Sequence, residues 1–426
     1  MKILFGKQEY KFKLPDSWRV LNSFNRKNPM PLSSLKEEII SSIKKPLGSV
    51  PLKELLAKGE RVLILIDDQT RSTPVKEVLE IILPLIKEQA INKLNINILI
   101  CGGTHRLMTD NEIWTKTGKE VFEKYPIHQH DAFSSNLVSI KPIIKNNYTL
   151  DFKINPLIKD AQIIIGIGSI FPHHQSGFSG GPKIVCPGIC DYTNIVAHHR
   201  IFGYQRGAAH GVLDDNLFYE ISCAVAGQAG LSFIINTVCN EKGEILGVFS
   251  GNPFKAHREG ASFIENNFAV RFSEKADITI ISAYPYLRPP QNFKAIGVAA
   301  KSTKKGGTII LLSPGHEIPK GVWDKFVFFN KQTDSEIFEI YNKNEIPFPG
   351  LSVLENYNIP RNVLYSRQFK IIYVNPKEER NKLREIGFIP AESISGALEL
   401  EKKDNRSKKI VLLNQGVLSY PLLENS

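Results

Sequence analysis

Residues 61–74, RVLILIDDQTRSTP, decide the fold. Residues 62–66 are a continuous apolar run, which is typical of a strand buried on both faces of a parallel sheet. The run ends at Asp67 and Asp68, and Pro74 marks the start of a helix. The stretch therefore predicts a strand, a polar loop and a helix, with the loop leaving the carboxyl end of the strand.

The same unit recurs along the chain. Residues 94–100 predict a second strand, followed by CGGTHR, and residues 161–167 predict a third, followed by GSIFPHHQSGFSGGPK. A strand–helix–strand pattern begins again at residues 276–283 and continues through 308–312 and 370–374. The predicted class is α/β, with two α/β domains, mainly parallel sheets and a cleft between them, where ligands of such sheets bind.

The domain boundary is expected near residue 270. Residues 1–270 would form an N-terminal cofactor-binding domain, and residues 271–426 a C-terminal α/β domain that closes over the site. The late apolar stretch 409–413 fits packing on either domain.

Composition excludes several classes of protein. The chain is 42% hydrophobic and 23% charged, as in a globular protein, and it has no run of about 18 apolar residues that could span a membrane. Its first residues, MKILFGKQEYKFKLPDSW, lack the apolar core of a signal peptide, so we expect a cytoplasmic protein with five reduced cysteines and no membrane partner. The net charge of +11 is spread over Lys-rich surface stretches without an arginine-rich stripe, so a nucleic-acid partner is not expected.

Histidines cluster in the loops that follow the strands. The five are His105, His173, His174, His198 and His199. Imidazole exchanges protons near neutral pH and also binds borderline metals, so the cluster indicates acid–base or metal chemistry.

The motifs together resemble the nickel-dependent lactate racemase family. DDQTRSTP, GGTHR, PHHQSGFSGGPKIVCPGI, HH and QNFK occur in the family's order over nearly the full chain, and residues 166–200 are the most specific part. The resemblance implies a 2-hydroxy acid racemase or epimerase, an isomerase whose nickel-pincer nucleotide takes up a hydride and returns it.

The resemblance also implies roles for particular residues. Lys183 would bind the cofactor, pyridinium-3,5-bisthiocarboxylic acid mononucleotide, through a covalent thioamide. His199 would be the protein ligand of nickel, with its neighbour His198 as the alternative. His105 and His173 match the paired acid–base histidines, and His174 is the rival of His173.

Further positions match the family's substrate and cofactor contacts. Arg71 and Lys294 would bind the substrate carboxylate, with Gln291 beside them, and Asp68 and Thr70 would line the cofactor side. The implied partners are a small hydroxy acid and the proteins that make the cofactor. The lactate enzymes tend to have an aromatic residue before this Gln, where the chain has Pro290, so the substrate stays open between lactate, a larger 2-hydroxy acid and a sugar acid inverted at another hydroxyl carbon.

Two other interpretations stay open. One is a metal-dependent hydrolase or lyase that uses the histidines as ligands, and the other is a noncatalytic protein that binds the nickel cofactor. The sequence does not decide the oligomeric state.

Overall fold

The computed structural model contains two compact units. The central unit is Pro29–Ile264, and the terminal unit combines Met1–Asn28 with Glu265–Ser426. The structure describes residues 1–6, 8–22, 29–89, 95–203, 205, 207–240, 243–286, 288–313, 317–342, 353–375, 380–402 and 406–424.

A six-stranded sheet forms the core of the central unit. Five of its strands are parallel and one edge strand is antiparallel. In order across the sheet, the strands are Ile245–Gly251, Leu231–Cys239, Ile163–Ser169, Arg61–Ile66, Asn95–Ile100 and Ile127–Gln129. Ile64, Leu65 and Ile66 are fully buried, as the apolar run predicts for a central parallel strand.

Helices and short hairpins surround this sheet. The helix at Asp110 begins with a capping box between Thr109 and Glu112. The helices are Leu35–Lys44, Leu52–Leu56, Val75–Gln89, Asp110–Thr117, Lys119–Lys124, Leu157–Asp160, Tyr192–Phe202, Leu217–Gln228 and Pro253–Phe268, with a 3-10 turn at Gly181–Ile184. The antiparallel pairs are Val138–Ser139 with Lys153–Ile154, Ile143–Lys145 with Tyr148–Leu150, and Pro172–His173 with Gly177–Phe178.

The terminal unit has a second six-stranded sheet, which is entirely parallel. Its strands, in order, are Ile389–Ala391, Lys370–Val374, Thr303–Leu312, Ala276–Ser282, Lys409–Leu413 and Arg19–Val20. Its helices are Lys294–Ala299, Lys320–Asn330, Asp334–Asn342, Val353–Gln368, Arg380–Glu385 and Ile394–Lys402, with 3-10 turns at Gln291–Phe293 and Gly416–Leu418. Two further pairs are Lys2–Phe5 with Gln8–Lys11, and Ala269–Phe272 with Tyr420–Leu423. The predicted α/β class with mainly parallel sheets is confirmed.

The boundary between the units falls at Ile264 and Glu265, close to the predicted residue 270, but the start of the chain lies in the other unit. The start of the chain, which was assigned to the N-terminal domain, belongs to the terminal unit because Arg19–Val20 pairs with Lys409–Leu413. Asn22 extends this pairing, since its side chain accepts a hydrogen bond from the Leu412 N–H (2.9 Å) and donates one to the Leu412 carbonyl (3.2 Å). Strand Tyr420–Leu423 also pairs within the terminal unit. Among the described residues, no helix combines the length and apolarity needed to cross a bilayer.

We predict that Asn22→Ala destabilises the terminal unit by about 1–3 kcal/mol, because Leu412 loses two buried hydrogen-bond partners. Urea unfolding followed by tryptophan fluorescence measures the change. The exposed Asn136→Ala is the control and should cost less than about 0.5 kcal/mol. Equal effects of the two substitutions would contradict the anchoring role of Asn22.

Candidate active site

Three loops that carry predicted site residues leave the same edge of the central sheet. Arg61–Ile66 pairs in parallel with Asn95–Ile100 on one side and with Ile163–Ser169 on the other. The carboxyl ends of the three strands therefore lie at one edge, where ligands of open α/β sheets bind. Asp68 follows the first strand and His105 follows the second.

Asp68 organises the first two loops. Its buried carboxylate lies 2.6 Å from Nδ1 of His105 and accepts hydrogen bonds from the backbone N–H (3.0 Å) and hydroxyl (2.6 Å) of Thr70. Arg71 in turn donates to the Thr70 hydroxyl at 2.7 Å. Four residues that the sequence selected separately are thus joined in one hydrogen-bonded cluster.

The pKa of Asp68 reflects this cluster. Burial alone would raise the pKa, but the hydrogen bond and positive charge of His105, the Thr70 hydroxyl and the charge of Arg71 outweigh it and lower the pKa to about 2. Asp68 is therefore a carboxylate at neutral pH and fixes the orientation of the His105 ring.

Lys116 supports the same loop, although nothing in its surroundings in the sequence distinguishes it from a surface lysine. Its side chain is only 9% exposed, its ammonium lies 2.7 Å from the Asp67 carboxylate, and it donates to the Arg71 carbonyl at 2.9 Å. The buried Lys116 ammonium therefore stabilises the polar loop that follows the first strand.

The lysine loop, residues 176–183, follows the third strand. Gly180 and Gly181 have φ angles of 73° and 54°, a region that side chains disfavour. A Cβ added to Gly181 would lie only 2.5 Å from the ring of His257. The glycines therefore allow the loop to pass close to the neighbouring helix.

Two buried side chains that the sequence analysis missed hold this loop. Asn236 accepts a hydrogen bond from the Gly181 N–H at 2.7 Å, and His257 donates from Nε2 to the Ser179 carbonyl at 2.8 Å. Burial lowers the pKa of His257 to about 4, so its ring is neutral at pH 7. Both residues lie more than 50 positions from the loop, and no local pattern signals their role.

Lys183 and His173 meet through Ser176. The Lys183 ammonium donates to the Ser176 hydroxyl at 3.0 Å, and that oxygen lies 3.1 Å from Nδ1 of His173. The backbone N–H groups of Gln175 and Ser176 also point at this nitrogen, each at 3.3 Å. The His174 ring lies beside that of His173, with centroids 4.5 Å apart.

The adjacent histidines of helix Tyr192–Phe202 have different surroundings. His198 is 1% exposed, donates from Nε2 to the Phe218 carbonyl at 2.9 Å, and has a pKa well below its ordinary value because of burial. His199 is half-buried and donates from Nδ1 to the Ile195 carbonyl at 2.8 Å.

Phe218 is the common neighbour of this helix and the lysine loop. The Lys183 ammonium lies 5.7 Å from the centre of its ring, and the His199 ring lies 5.0 Å from the same centre. A primary amine and an imidazole therefore converge around one aromatic side chain, which the sequence analysis did not identify.

Gln291 and Lys294 belong to the terminal unit. Gln291 begins a 3-10 turn that Asn292 anchors by donating to the Ser313 and Tyr373 hydroxyls, at 2.8 and 2.9 Å. The Lys294 ammonium lies 4.6 Å from the centre of the Tyr286 ring. The two predicted substrate residues are thus fixed within their own unit.

A metal site made only of protein ligands finds no support in the described part of the chain. No group of three or more His, Cys, Asp or Glu side chains there is arranged to hold a metal ion.

The chain is similar to known lactate racemases. Residues 5–211 match the family described as lactate racemase N-terminal domain. Lactate racemase from Thermoanaerobacterium thermosaccharolyticum is 28% identical over 428 residues, 98% of each chain. Lactate racemase from Lactiplantibacillus plantarum is 32% identical over 285 residues, 66% of each chain.

Solved structures agree with these similarities. The lactate racemase apoprotein from T. thermosaccharolyticum superposes with a TM-score of 0.85 at 25% identity, over 99% of both chains. A Thermotoga maritima protein shares the fold, with a TM-score of 0.66 at 19% identity over 94% of this chain and 100% of that one.

The hydrogen bond between Asp68 and His105 predicts a pH-dependent contribution to stability. Because folding lowers the pKa of Asp68 from 3.8 to about 2, the contribution is complete above pH 5 and is lost as the pH falls through the folded-state pKa. We expect the wild-type chain to lose about 2 kcal/mol more than Asp68→Asn between pH 5 and pH 2. Urea unfolding at several pH values measures the difference, and parallel curves for the two proteins would contradict the pairing.

Proposed function

The chain belongs to the lactate racemase family of isomerases, and from this premise we propose that it inverts a 2-hydroxy acid by hydride transfer to and from a nickel-pincer nucleotide. The observation that carries the proposal is the convergence of Lys183 and His199 around Phe218. An amine for covalent attachment and an imidazole for the metal are the two protein groups that such a cofactor needs.

The reaction requires removal of hydrogen from a carbon that is too weakly acidic for simple deprotonation. When bound, the cofactor would accept the hydride from one face of the carbon and return it to the other. The hydroxyl proton goes to a histidine, so the substrate passes through a 2-keto acid, and the reverse transfers restore the hydroxy acid.

His199 is the better candidate for the nickel ligand. A metal-bound histidine usually donates its second ring N–H to a carbonyl or carboxylate, as His199 does to Ile195. His198 directs its Nε2 to the Phe218 carbonyl and is buried. The cofactor would supply the other donors to nickel, so one protein ligand is enough.

His105 and His173 are the proposed acid–base pair. Nδ1 of His105 faces Asp68, and Nδ1 of His173 faces two backbone N–H groups, so each ring would exchange its proton through Nε2. A base on each side of the substrate allows either enantiomer to react. His174, beside His173, is the alternative.

The positive charges suit a carboxylate substrate. Arg71 is oriented by the Thr70 hydroxyl, and we propose that it binds the carboxylate. Lys294 and Gln291 are the proposed substrate residues of the terminal unit. Because Pro290 stands where the lactate enzymes tend to have an aromatic residue, larger 2-hydroxy acids should be tested alongside lactate. The proposed partners are this small molecule and the proteins that make the cofactor.

Racemisation in deuterated water tests the proposed reaction. Protein co-produced with the cofactor pathway should destroy the optical activity of a 2-hydroxy acid while the carbon-bound hydrogen is retained, because a hydride does not exchange with solvent. Lys183→Ala should be at least about 100-fold slower, since it cannot attach the cofactor. Deuterium at the inverted carbon, measured by proton NMR, would instead indicate deprotonation and contradict hydride transfer.

The two adjacent histidines provide a matched test of nickel binding. His199→Ala should keep the cofactor mass on Lys183 but lose bound nickel, because it removes the proposed ligand. His198→Gln can still donate to the Phe218 carbonyl and should keep both. Intact-mass spectrometry and elemental analysis measure the two quantities, and nickel loss in His198→Gln alone would reverse the assignment.

A further inference from the structure

We propose that Ser176 relays a proton from Lys183 to His173 while Lys183 is joined to the cofactor, an inference that rests on the proposed function. Ser176 then serves the maturation of the enzyme rather than its turnover. His173 would act twice, first as the proton acceptor for attachment and later as an acid–base residue in racemisation.

The geometry of the three side chains supports a relay. Ser176 is fully buried, whereas Lys183 and His173 are half-buried. The Lys183 Nζ to Ser176 Oγ distance is 3.0 Å, and the Ser176 Oγ to His173 Nδ1 distance is 3.1 Å. Both steps are within hydrogen-bond reach and pass through a hydroxyl that is shielded from water.

The Ser176 hydroxyl has the freedom that a relay requires. It has one proton and can donate it to the Phe178 carbonyl at 2.7 Å or to Nδ1 of His173, while its lone pair accepts from Lys183. Rotation about one bond switches between these donors. The hydroxyl can therefore take a proton from the amine as it gives its own to the imidazole.

His173 is oriented as the acceptor. The backbone N–H groups of Gln175 and Ser176 point at Nδ1, which favours the tautomer with its proton on Nε2. The titratable groups beside this ring include His174, whose ring centroid lies 4.5 Å from that of His173, and Lys183, which is linked to it through Ser176. A positive charge on either group opposes protonation of His173. The contribution of Lys183 ends when its amine becomes a neutral thioamide.

The attachment step balances without an oxidant or reductant. A C–N bond forms between the neutral Nζ of Lys183 and a thiocarboxyl carbon of the cofactor, and the C–O bond to its hydroxyl breaks. The proton lost by Nζ moves through Ser176 to His173. The departing hydroxyl takes one proton from solvent and leaves as water, and His173 then returns its proton to solvent, so that one amine proton and one hydroxyl are lost in total. An amine that attacks such a carbon becomes acidic as the bond forms, which is when a relay accelerates the step.

Acetylation of Lys183 in the cofactor-free protein tests the relay directly. A small acetyl thioester is the probe, and peptide mass spectrometry follows acetylation of Lys183 relative to the exposed Lys119 from pH 5 to pH 9. We expect Ser176→Ala to slow acetylation of Lys183 at least about tenfold at pH 8, because the proton acceptor is disconnected.

The pH profile separates a relay from a structural role. In the wild-type protein, the acetylation rate should fall with pH because Lys183 becomes charged. Below about pH 6.5 it should fall more steeply, because a protonated His173 cannot accept the proton. Ser176→Ala and His173→Asn should lose this extra dependence and follow lysine alone. Ser222→Ala is the matched control, since Ser222 is equally buried and bonds to the Phe218 carbonyl.

Co-production with the cofactor pathway distinguishes the two levels of the proposal. The wild-type chain should gain the cofactor mass on Lys183, and Ser176→Ala should gain it more slowly. A wild-type chain that gains no mass would overturn the attachment and with it the proposed function. Equal loading rates and identical acetylation profiles in wild type and Ser176→Ala would overturn the relay alone.

Discussion

The parallel pairing of Arg61–Ile66 with a strand on each side determines where the chemistry of this protein can occur. Parallel strands end at the same edge of a sheet, so the loops after three separate strands converge there. Asp68, His105 and the lysine loop are distant in the sequence, but this constraint brings them to one edge. The burial of the strand on both faces makes the register costly to change, because a shift by one residue would carry Arg61 or Asp67 into the apolar interior of the sheet.

Within this frame, hydrogen bonds give similar residues different chemical states. The Asp68 carboxylate orients the ring of His105, whereas the backbone N–H groups of Gln175 and Ser176 orient the ring of His173 by pointing at its Nδ1. His198 and His199 are adjacent, yet one is a buried neutral ring and the other is half-buried with its Nδ1 directed to a helix carbonyl. The state of each imidazole follows from its partner rather than from its position in a motif.

The sequence predicts those parts of the protein that have a local pattern. The apolar runs predict the parallel strands, and the loops after them contain the residues that the structure joins, such as Thr70 with Arg71. Strand Arg19–Val20 has only two residues and a partner some 390 positions away, so no periodicity reveals it. Lys116, Asn236 and His257 lie in ordinary-looking helices and strands, and their roles depend on packing that a single sequence does not encode locally.

Both ends of the polypeptide contribute to the terminal unit, so the central unit is in effect an insertion into it. During synthesis, Pro29–Ile264 is made before the terminal unit can be completed, because Arg19–Val20 must wait for its partner Lys409–Leu413, which is made some 390 residues later. Arg19–Val20 therefore has no partner strand until the residues between the two strands have been made. This order favours early completion of the lysine loop, before the last sheet of the protein exists.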